Sequence, residues 1–443
     1  MTKNDPPSST SEVLESEPII ERGPGFRAGL SSLRSHLNVS SIGAGVISAV
    51  FGCTGPALIL LDGADSGGLT SGQTVAWISA VYFVGGLISF VMGLYYKQPI
   101  VGAWSIPAAA LVVSSLQDYS LAEMIGAYFL ASILVLALGF TGWVRTMIQW
   151  LPMPILMAMI GGVLIGFAIN AIEAAGSAPT IVGAAVLGYL LLSKFIKSIP
   201  GVIGALVFGL AAAILTGSFA STDGNVEWVA PEFTMPEINW VVILGVGIPL
   251  ALVIQAENTQ SMGVLIANGY KPPVNSITAI SGLASIFVAP FGGHNASIAG
   301  PMTAICGSPE AGKEPDSRYP SVIVNGLFFV SFGLFASVAV ALITVLPPEL
   351  ITALAGLAML GVLLSAFKGA FATNRYRLGA LVALIIGISG ASIFGVSTPF
   401  WALLGGLVTS LVLEFDDFKA SREETKRAAA QAEENQKAES ETT

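Results

Sequence analysis

The sequence predicts an all-α polytopic membrane protein with about fourteen transmembrane segments in a 7+7 inverted repeat. Three observations lead there. The 443 residues are 53% hydrophobic and only 11% charged, with a mean hydropathy of +0.77, far outside the soluble globular range. Apolar runs of about 17 to 25 residues recur from Val39 to Leu413. Placing the N-terminus in the cytoplasm and alternating sides puts every Lys and Arg of the loops inside: Lys97, Arg145, Lys194, Lys197, Lys271, Lys313, Arg318, Lys368, Arg375 and Arg377. The opposite loops carry Asp62, Asp65, Asp118, Glu173, Asp223, Glu227, Glu232, Glu237 and Glu349 without a single cation. A wrong helix count would scramble that separation. Both termini are therefore expected in the cytoplasm of a multi-pass protein of the cell membrane.

Residues 1–37, polar and rich in Pro, Ser and Glu, read as a disordered cytoplasmic tail ending in a basic patch of Arg22, Arg27 and Arg34, with no cleavable signal peptide. Seven segments are expected at about 39–61, 74–95, 99–116, 121–142, 150–171, 180–196 and 199–217. A polar acidic loop at 218–239 divides the halves. Seven more follow at about 240–266, 274–289, 294–307, 319–345, 349–367, 378–394 and 397–414, then a charged cytoplasmic tail at 415–443. Leu151-Pro152 and Leu346-Pro347 open similar segments that run in opposite directions on the charge map, as a seven-helix unit repeated once requires. Cys53 and Cys306 lie inside apolar segments, where a small core side chain suits them better than a disulfide. The net charge of -9 belongs to loops and tails and gives no indication of nucleic acid.

Two segments are broken. Ala289 to Gly307 (APFGGHNASIAGPMTAICG) and Gln98 to Ala108 (QPIVGAWSIPA) interrupt apolar sequence with Gly, Pro and polar residues. In hydrocarbon every backbone N–H and C=O needs an internal partner, so broken backbone survives only where it lines a cavity or packs on protein. These are the third and tenth segments, each expected as a short strand plus a half-helix. Pro107 follows a cap candidate in Ser105, and Pro301 follows Gly300 or Ser297. Two half-helix N-termini at mid-membrane would seat an anion; ordinary packed kinks are the plainer alternative.

Glu257, in Gln255-Ala256-Glu257-Asn258-Thr259-Gln260-Ser261, is the one carboxylate well inside a span. Helical spacing sets it beside Gln260 and Ser261. An ionised acid is expensive at membrane depth, so the position suits a group that takes up and releases a proton; a helix end snorkelling to water is the alternative. His294 is open to two readings, proton or substrate contact and brace for freed carbonyls. Trp104 is likewise open between stacking on a planar substrate and packing. No metal-ligand cluster, phosphate loop or nucleophile-base arrangement is present, which leaves an enzyme or an ATP-driven pump without support, and no cofactor is expected.

Pro99 to Ala109 (PIVGAWSIPAA), Asn268 to Pro273 (NGYKPP), Ala289 to His294 (APFGGH) and Ala304 to Ala311 (AICGSPEA) together resemble the benzoate membrane transport protein (BenE) family of proton symporters, over about residues 38–414. The resemblance implies the fold of uracil and xanthine transporters. A core domain would comprise 38–145 and 240–345, and a gate domain 146–217 and 346–414, with a homodimer through the gate. It implies a substrate seat between segments three and ten. An aromatic carboxylate would sit near Ser105 and Ser297, its ring against Trp104 and Phe291. Ile106, Gln260, His294, Asn295 and Ala296 would complete the seat, and Glu257 would carry the co-transported proton. Two features depart from the family: Ala256-Glu257-Asn258-Thr259-Gln260 replaces an expected Ala-Ser-Gln-Asn pattern, and asparagine follows His294 earlier than usual. An acid at that place is reminiscent of nucleobase transporters. A nucleobase-like ring held by Glu257 and Gln260, and a passive anion channel, are therefore the two competing expectations.

Overall fold

The computed structural model describes residues 20–53, 55–143, 152–196, 201–218, 228–309, 311–343, 346–391, 393, 398–421 and 423. The helices in order are α1 (Phe26–His36), α2 (Val39–Cys53), α3 (Gly55–Ser66), α4 (Ser71–Tyr96), α5 (Ile106–Leu116), α6 (Leu121–Thr141), α7 (Met153–Ser177), α8 (Pro179–Phe195) and α9 (Gly201–Thr216). The second half holds α10 (Trp240–Ala267), α11 (Val274–Val288), α12 (Gly300–Gly307), α13 (Pro320–Leu334), α14 (Ala336–Ile343), α15 (Pro348–Phe371), α16 (Arg377–Ser389) and α17 (Thr398–Leu413). Among the described residues seven helices are long and apolar enough to cross a membrane, and four shorter apolar helices accompany them.

The helices fall into two packed groups. In one, α4 packs on α13, α2 on α13, and α6 on both α10 and α11; in the other, α7 packs on α15 and α16, α8 on α9, and α16 on α17. Contacts of α3 with α15 and α5 with α7 join them. Pro152 and Pro347 cap the starts of α7 and α15, the two segments whose sequences resemble each other. At those positions a missing N–H costs nothing.

The broken segments become a two-residue strand followed by a short helix in each case. Strand β1 (Gly102–Ala103) precedes α5, and strand β2 (Ser297–Ile298) precedes α12. They pair antiparallel, Gly102 opposite Ile298 and Ala103 opposite Ser297. A two-stranded ribbon at membrane depth exposes its outer edges, and side chains of neighbouring helices satisfy them. Ser89 on α4 accepts from the Gly102 N–H at 2.9 Å and its hydroxyl lies 3.2 Å from the Gly102 carbonyl. Asn258 on α10 accepts from the Ile298 N–H at 3.1 Å, and Ser261 donates to the Ile298 carbonyl at 2.7 Å. Ser285 on α11 accepts from the Ala296 N–H at 2.9 Å and approaches its carbonyl at 3.1 Å. The helices thus act as surrogate strands, which is what allows open backbone away from water.

The N-terminal expectation needs correction. Residues 1–19 lie outside the described residues, but 26–36 form α1 on the end of α4 rather than a disordered tail. Gly29 makes this contact: a Cβ there would fall 2.0 Å from the Leu94 carbonyl oxygen. The acidic loop, described from residue 228, is tied down by backbone bonds from Glu232 to Gly72, Thr234 to Pro290 and Glu237 to Ala122. Span 319–345 is also divided, into α13 and α14, whereas α2 and α3 count together as one span, Val39–Ser66. The tail expected from 415 begins with a helix, Phe415–Ser421, bent 90° from α17.

Candidate functional site

A cavity of about 600 Å³ lies where the two groups of helices meet the broken segments. Phe51, Trp104, Met153, Met157, Met302 and Phe329 make its walls apolar, while Glu257, Thr259 and Gln260 supply polarity from α10. Such a lining, apolar with a few polar groups, is the pattern of a small-ligand site, whose volumes run ~300–1,000 Å³. Among the described residues no Lys, Arg or His lines it.

Both half-helices start at the cavity. Ser105 is the N-cap of α5, its hydroxyl accepting from the Ala108 N–H at 3.3 Å, with Pro107 in the first turn. Helix α12 starts after Ala299, which offers no side-chain cap. The Ser297 reading as a cap is therefore corrected: Ser297 sits in β2, fully buried. The missing cap is replaced from another helix. The Glu257 carboxylate accepts from the Ser105 hydroxyl at 3.3 Å, and the Gly300 N–H approaches the same carboxylate. One acid therefore stands between two helix N-termini, where unpaired N–H groups and dipole ends favour negative charge by up to ~2 kcal/mol each when partly buried. Glu257 does not lie at a helix end: it is the eighteenth residue of the 28-residue α10, and Val253 and Gln260 on its face line the same cavity.

Trp104 forms part of the cavity wall, and two rings support it directly. Tyr82 and His294 meet it edge-on at centroid distances of 5.9 and 5.5 Å, and Tyr82 in turn packs on Phe329. His294 itself is fully buried behind Trp104. The Trp77 indole N–H donates to His294 Nδ1 at 3.0 Å, so Nδ1 must carry a lone pair and the ring proton resides on Nε2, which points to the Ser105 carbonyl at 3.3 Å. The geometry favours the bracing role. We expect His294→Phe to leave the Trp77 N–H without its partner, while the Ser105 carbonyl keeps the Ala109 N–H, lowering stability by about 1–2 kcal/mol. The midpoint of thermal unfolding checks this.

The remaining expected residues divide. Ile106 and Gln260 line the cavity. Asn295 accepts from the Ser105 N–H at 3.1 Å and is buried, so it acts on the seat through backbone, and Ala296 lies behind β2 against Ser285. Phe291 is displaced: it is 38% exposed on a 3-10 turn (Ala289–Phe291), stacked edge-on against Phe233 of the acidic loop at 5.8 Å, and does not border the cavity. The lining residues missed include Phe51, Phe329 and three methionines. Met153, Met157 and Met302 had no distinguishing sequence signal, since Met in apolar helices is ordinary.

The cavity extends toward the ends of α7 and α15 that hold Met153 and Gly369. Near the other ends Thr352 on α15 donates to Asp62 on α3 at 3.3 Å, joining the two helix groups. A bundle of apolar helices, divided in two around a cavity at a pair of broken segments, is the build of a membrane transport protein. The chain belongs to the benzoate membrane transport protein family, whose pattern it matches over residues 35–412. It is 31% identical over 385 residues to the benzoate membrane transport protein of Acinetobacter baylyi, covering 87% of this chain and 98% of that one. It is 32% identical over 371 residues to the inner membrane protein YdcO of Escherichia coli, covering 84% and 95%. In fold it resembles the transmembrane domain of the cyanobacterial bicarbonate transporter BicA, with a TM-score of 0.55 at 14% identity over 84% of this chain and 98% of that one. SLC26A9 gives a TM-score of 0.60 at 14% identity over 86% and 67%.

Proposed function

We propose that the protein is a proton-coupled symporter of an aromatic carboxylate such as benzoate. The observation that carries this reading is the Glu257 carboxylate between the N-termini of α5 and α12, in a cavity walled mainly by aromatic and apolar groups, with Thr259 and Gln260 beside the acid on α10. Glu257 holds the place that a substrate carboxylate would take. Two ionised carboxylates about 4 Å apart repel by about 4 kcal/mol at an effective dielectric constant of 20, roughly a thousandfold in binding. Substrate therefore enters only when Glu257 is protonated and gives up the dipole ends. The substrate ring lies against Trp104 and Met302, and Ile106 closes its edge.

Alternating access follows from movement of the α2, α4 and α13 group with its broken segments against the α7, α15 and α16 group. The full chain crosses the membrane fourteen times as two inverted sets of seven, with both termini inside, and pairs as a homodimer through the second group. The strand-plus-half-helix form of both broken segments and their antiparallel pairing support the inversion. On this orientation the cavity faces the cytoplasm, and the contact of Asp62 with Thr352 closes the outside.

Uptake of labelled benzoate and uracil into proteoliposomes, with and without an imposed pH gradient, is the direct test. Benzoate is expected to accumulate tenfold or more only with the acid side outside, and uracil not at all. Accumulation indifferent to the gradient sinks coupling and favours a channel. Uracil uptake without benzoate uptake assigns the seat to a nucleobase held by Glu257 and Gln260.

A further inference from the structure

The basic patch of Arg22, Arg27 and Arg34 plays no part in the transport site, yet it sits on an ordered element. One face of α1 and the segment leading to it is fixed to the bundle. The Gly25 N–H donates to Tyr95, the Tyr96 hydroxyl to the Glu21 carbonyl at 2.9 Å, and the Tyr319 hydroxyl to the Gly29 carbonyl at 2.7 Å. The Glu21 carboxylate accepts from the N–H groups of Asn275 and Ser276, both at 2.9 Å, and from the Ser276 hydroxyl at 2.7 Å. It thereby caps α11, whose own N-cap residue, Pro273, has no side-chain bond to give. Residues 21–36 are thus strapped to α4, α11 and α13, the group that carries the broken segments.

Among the described residues the other face is largely uncovered, with Phe26 meeting the Tyr95 ring edge-on at 5.2 Å. Phe26, Leu30 and Leu37 are 45%, 57% and 43% exposed, and with Leu33 they form one stripe at helical spacing. Arg27 and Arg34 stand exposed beside that stripe, Arg22 precedes it, and α1 contains no acid at all. Water is a poor environment for the stripe, and an acidic protein surface would satisfy the arginines but not the leucines. A leaflet of anionic phospholipid satisfies both, with acyl chains under the stripe and headgroup phosphates on the guanidinium groups.

We propose that α1 is an interfacial helix that binds anionic phospholipid and anchors the α2, α4 and α13 group to the leaflet on its side of the membrane. This requires that the chain be membrane-embedded but does not depend on the substrate assigned above. Each arginine contributes roughly a fivefold preference for an anionic surface, screened by salt.

The experiment follows unfolding of the purified full chain in uncharged detergent, with added phosphatidylglycerol or phosphatidylcholine. Binding to the folded state alone raises the midpoint. Phosphatidylglycerol is expected to raise it by about 3 °C or more, phosphatidylcholine to leave it unchanged, and 0.5 M salt to remove most of the shift. The triple variant R22Q/R27Q/R34Q should lose at least half of the shift, while Lys194→Gln, at the exposed end of α8, should keep it. An equal shift in the triple variant, or with both lipids, overturns the proposal. Should the triple variant fold poorly, Leu30→Trp supplies a second reading. Its added fluorescence, taken against the parent protein, is expected to be quenched by brominated phosphatidylglycerol. No added quenching overturns the proposal, and a midpoint that follows protein concentration instead of lipid assigns the stripe to a second copy and overturns it too.

Discussion

Glu257→Gln is expected to abolish accumulation of benzoate against its gradient, by tenfold or more, while leaving the protein folded and able to exchange substrate. The glutamine carbonyl can still accept from the Ser105 hydroxyl and from the Gly300 N–H, so both half-helices keep a partner. Stability should therefore change by about 1 kcal/mol or less. What disappears is the negative charge that competes for the seat. Benzoate affinity, which in the parent protein should fall as the pH rises and Glu257 ionises, should become nearly independent of pH in the variant. Counterflow of labelled against unlabelled benzoate should persist, because exchange needs no net proton movement. Accumulation that survives the substitution places the proton elsewhere. His294 is a poor second candidate, since its Nδ1 already serves the Trp77 indole in a site closed to water.

How much of this was legible in the sequence follows from the range of each signal. Breaks in the third and tenth segments are local: Pro107, Pro301 and the glycines around them interrupt an apolar run, and both became strand plus half-helix. Glu257 was legible for the same reason, as a lone charge in a span. The partners were not. Ser89, Asn258, Ser261 and Ser285 read as small polar residues scattered on three helices, and only folding carries Ser89 to Gly102 and Asn258 to Ile298. Ser297 and Gly300 were the cap candidates within reach in sequence, whereas the group facing that N-terminus is Glu257, over forty residues earlier. Phe291 looked like a ring contact from its place beside the break, but the left-handed turn at Gly292 (φ 77°) leaves it on the outside of the 3-10 turn. Helix α1 was hidden by a Ser-rich composition, because its order comes from Leu94, Tyr95 and Tyr319, far along the chain.

Gly102→Ala tests whether the strand pair, rather than the half-helices alone, sets the site. A Cβ at Gly102 would stand 2.4 Å from the Gly85 carbonyl oxygen and 2.4 Å from the Ile88 Cβ, both fixed on α4. Neither is the end of a flexible side chain, so β1 or α4 must move. Moving β1 outward stretches its bonds to Ser89 on one edge and to β2 on the other; moving α4 opens its glycine-lined contact with α13, where Gly86 meets Gly326. Overpacking of this kind costs about 1–3 kcal/mol, and the lost Ser89 bonds add to it. The functional loss should exceed the loss of stability. Trp104 and Ser105 follow β1 directly, so a displacement of β1 moves the ring and the cap away from Glu257 together. The expected result is a lower unfolding midpoint and at least a tenfold fall in benzoate uptake. Gly43→Ala, where an added Cβ meets nothing within 4 Å, should leave both nearly unchanged or slightly raise stability through its helix propensity. Equal behaviour of the two alanine variants would show that β1 has room the packing does not reveal, and would remove the strand pair from its place in positioning Trp104 and Ser105.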